Sequence, residues 1–113
     1  MSKINGIEVG NVVKEALDKA RLSGISNWNE IKDIAKLIAD SMLNDLKFIA
    51  KKKATGGFDA FDAKIFLEDQ KMVARTRLRS VAIITLQTAE RVLNAITDVF
   101  KGAANTALGW DLF

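Results

Sequence analysis

Residues 58–100 carry an apolar heptad almost from end to end, in a chain with no proline to interrupt it, and few folds accommodate such a stretch. Counted from Phe58, the repeat passes through Ile65, Met72, Arg79, Leu86, Leu93 and Phe100. Three residues further on it passes through Phe61, Glu68, Arg75, Ala82, Ala89 and Ile96. Residues at this spacing wind along one side of a helix and are buried by another helix. The seam is apolar at both ends and charged in the middle. We therefore expect a helix, or two nearly continuous ones, over about residues 58–101. The apolar face shifts along it: Phe66 and Val73 widen the stripe on one side in the first half, and Leu78, Val92 and Val99 on the other side in the second.

The preceding chain offers shorter partners. Residues 2–10 form a mixed lead-in with a turn signal at Asn5-Gly6. From Asn11, a suitable N-cap, Val12, Val13, Ala16, Leu17 and Ala20 fall on one face and Lys14, Glu15, Asp18 and Lys19 on the other, which predicts a helix over about 11–22 ending at Ser23-Gly24. About three turns are not stable alone, so this helix must dock. Asn27 followed by Glu30 has capping-box spacing and starts a second helix over about 27–53. Trp28, Ile31, Ile34, Ala35, Ile38, Met42, Leu46 and Ile49 form its inward face. Leu37 and Phe48, with Ser41 and Asn44 between them, draw a second and weaker line.

Ala54-Thr55-Gly56-Gly57 stops that helix, and so short a turn favours an antiparallel hairpin. With the pivot near Thr55-Gly56, Ile49 would lie beside Asp62, Met42 beside Asp69 and Ile31 near Ser80. The long helix would then overhang its partner from about residue 84 onward, still strongly apolar. A tail, residues 103–113, ends in Leu108-Gly109-Trp110-Asp111-Leu112-Phe113. The expected fold is thus all-α and a single domain over residues 1–113: a short N-terminal helix, then an antiparallel hairpin with one very long C-terminal helix, assembling into a multi-helix bundle.

Several function classes lose their usual chemistry. Cysteine and histidine are absent, which removes disulfides, thiolate nucleophiles, the common zinc sites and the commonest general base. Asp59, Asp62, Glu68 and Asp69 are a dense carboxylate group, but bundle-type metal sites also draw on histidine. We expect no enzyme, no metal and no cofactor. The apolar window at 81–84 is soon broken by Gln87, Glu90 and Arg91, so no membrane span is expected, and the N-terminus lacks the apolar run of a secretory signal. The cytoplasm is the expected compartment.

Basic residues could meet an anionic partner through Arg75, Arg77, Arg79, Lys51, Lys52 and Lys53. Seven basic and seven acidic residues from Phe58 onward leave that half neutral, and the triple lysine opposes the partial charge at its own helix end, as Asp59 and Asp62 do at the start of the next. A structural role for Arg75 and Arg79, pairing with Glu30, Asp33 or Glu68 to set register, is the stronger reading. A chain of 113 residues buries only a modest fraction of its surface unless it associates. The leading expectation is a non-enzymatic structural or interaction protein, a dimer, ring or filament, that self-associates through Leu86, Val92, Leu93, Ile96, Val99, Phe100, Trp110, Leu112 and Phe113. The alternatives are a small basic nucleic-acid-binding regulator and an adaptor docking a protein partner through its C-terminal peptide.

Overall fold

The computed structural model describes residues 3–4, 7–22, 28–80 and 85–109, with side chains from Asn11 onward except Ala107. Four helices make up nearly all of it: α1 (Val9–Arg21), α2 (Trp28–Ala54), α3 (Ala60–Arg79) and α4 (Leu86–Leu108). Before them, β1 (Lys3–Ile4) and β2 (Ile7–Glu8) pair antiparallel, Lys3 opposite Glu8 and Ile4 opposite Ile7, across the predicted Asn5-Gly6 turn, which itself lies outside the described residues.

Helix α2 is the spine. Its 27 residues give a rod of about 40 Å, close to the 43 Å long dimension of the molecule. Ile31, Ala35, Ile38, Ala39, Met42, Leu46 and Ile49 are buried along one side, following the 3.6-residue period of the sequence, and Trp28 and Ile34 pack at its edge. Asn27 and the expected stop of α1 at Ser23-Gly24 lie outside the described residues. The far end of α2 closes as a glycine cap. Gly56 takes φ 76°, its N–H donates to the Lys53 carbonyl, and the Gly57 N–H reaches the Lys52 carbonyl at 2.7 Å, the pairing that satisfies the last carbonyls of a helix.

The stretch 58–101, expected as one very long helix or two nearly continuous ones, is two helices that pack against each other. Asp59 caps α3: its carboxylate accepts from the Asp62 N–H at 2.8 Å, and the Asp62 carboxylate accepts from the Asp59 N–H at 3.3 Å. At the other end the Ser80 hydroxyl donates to the Arg77 carbonyl at 2.6 Å. Five residues on, Thr85 in an extended conformation caps α4 through the Thr88 N–H. Serine and threonine offer the backbone alternatives to the helical ladder, and the intervening Val81, Ile83 and Ile84 are β-branched residues of modest helix propensity. Residues 81–84 lie outside the described set. Helix α4 also runs past the expected end at Lys101-Gly102. It stops at Gly109, whose φ of 71° suits the left-handed position, and the Lys53 ammonium donates to the nearby Leu108 carbonyl.

Helix α1 packs mainly against α4 and also against α2, while α3 lies against α2 and α4. Contacts across the α2–α3 pair join Phe48 to Phe66 and Ser41 to Arg77, so later residues of α3 meet earlier residues of α2. This register is offset by a few residues from the one that set Ile49 beside Asp62, because the chain uses residues 55–59 to turn and to cap α3.

The overhang is covered from within the chain. Val92, Leu93, Ile96 and Phe100 are fully buried, joined in one core by Val12, Ala16 and Ala20 of α1 and the inward face of α2. The alanines of α1 let the helices approach closely. These four side chains therefore form the interior of one chain, which corrects their expected role as a surface for a second copy.

Candidate interaction surface

Helix α3 has two apolar stripes, and the bundle uses the one made of smaller residues. Ala63, Leu67, Ala74 and Leu78, at i, i+4, i+11 and i+15, are buried against α2 and α4. The heptad seam expected to be the interior side points the other way: Phe61 is 71% exposed, Met72 62% and Ile65 49%. At 100° per residue the two stripes are more than a third of a turn apart, so both cannot face one neighbour. The charges in the seam agree with this outcome. Glu68 and Arg79, which would be costly inside, stand in water.

Several contacts hold α3 in this orientation. The Arg75 Nε donates to both carboxylate oxygens of Glu90 on α4, at 2.8 and 3.0 Å. At the turn end Phe48, Phe58 and Phe66 form a ring cluster with centroids 5.2 to 6.0 Å apart, and the Lys52 ammonium lies 5.5 Å from the centre of the Phe48 ring. The second line read on α2 is thus partly a seat for α3: Phe48 joins the cluster and Ser41 accepts from Arg77 at 3.4 Å, whereas Leu37 stays exposed. The outward stripe from Phe61 to Met72 spans about 16 Å of helix and is rimmed by acids on one flank, Asp62 and Asp69, and by bases on the other, Lys64 and Lys71.

Between α2 and α3 lies a groove of about 180 Å³, with Ile38, Met42, Val73 and Ala74 as its apolar lining and Ser41, Asn44, Asp45, Gln70 and Arg77 as its polar one. Burial pushes the Asp45 carboxyl from 3.8 up to about 6, against the opposing attraction of Arg77. On the opposite side of the molecule, α1 and α4 meet along shallow grooves bridged by Lys19 and Asp98 at 3.3 Å.

The residues singled out in the sequence are dispersed by the fold. Leu86 is 52% exposed and Val99 half-buried, while Trp110, Leu112 and Phe113 lie outside the described residues. Arg75 pairs with Glu90, a partner not among Glu30, Asp33 and Glu68, because α3 and α4 are separate helices that fold back on each other. Arg77 reaches Ser41 and Arg79 is exposed. Lys51 faces solvent, Lys52 covers Phe48, and Lys53 is engaged at the end of α4. From Lys52 back to Ser41, where Arg77 lands, is eleven residues of α2, roughly 16 Å. The bases therefore make two groups and no continuous stripe. Among the described residues no cluster of three or more metal-binding side chains occurs, and no helix is long and apolar enough to cross a membrane.

Sequence reasoning found the seam of α3 and missed its direction. The available signal was its charge: a stripe interrupted by Glu68, Arg75 and Arg79 suits a water-facing side better than a core. Comparison with known protein families, with characterised proteins and with solved structures finds no match for this chain.

Proposed function

We propose that this is a non-enzymatic interaction protein that self-associates through the outward seam of α3. The observation that carries the reading is the stripe Phe61, Ile65 and Met72, exposed together on a helix capped at Asp59 and anchored along its opposite side. Scattered exposed hydrophobes need no explanation, but three large ones at i, i+4 and i+11 share one face of a held helix, with Glu68 between Ile65 and Met72. Full burial of such side chains contributes roughly 1.5–3 kcal/mol each, so covering their exposed parts is worth roughly 3–5 kcal/mol per copy. A second copy doubles that contribution in a symmetric contact, to roughly 6–10 kcal/mol, which falls within the ~4–15 kcal/mol cost of association. At most about 6 kcal/mol is left over, so the expected product is a weak dimer, with a dissociation constant of roughly 40 μM or higher.

In this reading α2 and α3 act as an antiparallel hairpin that displays the seam, and α1 with α4 closes the other side. The nucleic-acid alternative is weakened because Arg75 and Arg77 already have partners in Glu90 and Ser41. Sedimentation velocity across a hundredfold range of protein concentration tests the proposal. A concentration-dependent monomer–dimer equilibrium that the double variant Phe61→Ser, Met72→Ser shifts to monomer is expected. A chain that stays monomeric throughout, or a dimer indifferent to both substitutions, overturns it.

A further inference from the structure

The flanks of the seam select one arrangement of the two copies. With Phe58 as position a of the heptad, Asp62 and Asp69 occupy e positions and Lys64 and Lys71 occupy g positions. Helices packed antiparallel bring e against e and g against g. Two copies of α3 would then set Asp62 against Asp69 and Lys64 against Lys71, like charges at every flank. Helices packed in parallel bring each g residue against the e residue of the next heptad on the partner, which sets Lys64 against Asp69, in both directions across the two-fold axis. No ion pair within the chain engages Lys64 or Asp69 among the described residues, and both are exposed.

From this we infer that two copies of the chain pair α3 to α3 in parallel and in register, with Phe61, Ile65 and Met72 each meeting its own counterpart and Lys64 bridging to Asp69 of the second copy. The inference rests on the self-association proposed above and adds its orientation and register. In register the apolar layers fall at 61, 65 and 72, and one polar layer falls at Glu68. In that layer the two Glu68 carboxylates face each other, a repulsion that the two Lys64–Asp69 pairs must offset and that keeps the dimer weak. Arg75, the next seam position, is turned aside by its contacts with Glu90 and need not meet its counterpart. The contact is therefore confined to about three turns at the amino-terminal half of α3, next to the Phe48, Phe58 and Phe66 cluster that braces that end.

Charge reversal separates the arrangements with opposite signs. In the parallel pair Asp69→Lys opposes two lysines, and the dimer dissociation constant rises roughly tenfold at low salt. Adding Lys64→Asp restores the opposite-charge pair, and the constant returns to within about threefold of the starting value. In an antiparallel pair Asp69→Lys instead relieves the repulsion from Asp62 and tightens the dimer. Because the chain has no cysteine, single-cysteine variants give an independent readout: Ile65→Cys and Met72→Cys each cross-link to themselves through a short bifunctional maleimide only when the helices are parallel and in register. A monomer at every concentration removes self-association altogether. A dimer that Asp69→Lys tightens or leaves unchanged, or that cross-links only when the two cysteine variants are mixed, overturns the parallel register alone.

Discussion

Replacing Asp45 by asparagine should stabilise the protein at neutral pH, although aspartate is the charged and nominally better solvated residue. Asp45 projects from α2 into the groove under α3, where Arg77 is the charged group facing it and Ser41, Asn44 and Gln70 supply the other polar atoms. Desolvation outweighs the attraction of Arg77, and the carboxyl titrates near 6 in the fold against 3.8 as its ordinary value. Between those values the native state holds a proton that the unfolded chain has lost. Stability is therefore highest below about pH 3.8 from this group, and falls as the pH rises to about 6. The full displacement corresponds to at most about 3 kcal/mol. The groove is open to water on one side, so about 1–2 kcal/mol is the expected share. Asparagine fills the same volume without the charge. Urea unfolding of both proteins at half-unit steps from pH 4 to 7.5 measures the difference directly, and other carboxylates cancel in it. The two should be equal near pH 4, and the variant about 1–2 kcal/mol more stable at pH 7. A variant that is less stable at pH 7, or a difference that does not change between pH 4 and 6, would show that the contact with Arg77 outweighs burial and would refute the argument.

Two further substitutions probe the supports of the outward seam. Asp59→Ala removes the acceptor for the Asp62 N–H and should lower stability by about 1 kcal/mol in chemical unfolding, while Asp59→Asn should recover most of it. Phe100→Ala empties a fully buried position where α4 meets the core and should cost about 3–5 kcal/mol; a loss below about 1 kcal/mol would mean that the packing of α4 is looser than the burial implies.

The face of α2 was legible because a long amphipathic pattern with a glycine stop leaves one arrangement of large apolar residues, and the structure buries them except Trp28 and Ile34, which are half-buried at its edge. Helix α1 begins at Val9, two residues before the expected start, so Asn11 lies within its first turn and is not its N-cap. The break in the long helix was less visible. Proline is absent, so the interruption rests on Ser80 and Thr85 recruiting backbone groups, and such local hydrogen bonds compete with helix continuation only by small margins. Once the break exists, Glu90 is brought back to Arg75, a contact that no helical spacing along a continuous rod could produce. The end of α4 shows the converse. Gly102 stays in the helix with open space where a Cβ would project, and Gly109, with positive φ and the Lys53 ammonium nearby, marks the stop. A glycine is a possible ending, and the tertiary partner decides which one is used.

Helix α3 shows why its direction depended on the whole bundle. Heptad arithmetic weights large side chains, and by that measure Phe61, Ile65 and Met72 outrank Ala63, Leu67, Ala74 and Leu78. Packing inside a small bundle applies a different criterion, because a third helix must fit against two already in contact, and alanines allow an approach that phenylalanine and methionine would block. Ala63 and Ala74 thus turn the smaller stripe inward, and the larger stripe is left outside as a consequence. The exposed seam follows from the way the interior is filled. A substitution that enlarged the inner stripe, such as Ala74→Phe, would act on the outer surface as well, because α3 could relieve the crowding only by moving away from α2 and α4 or by rotating its seam.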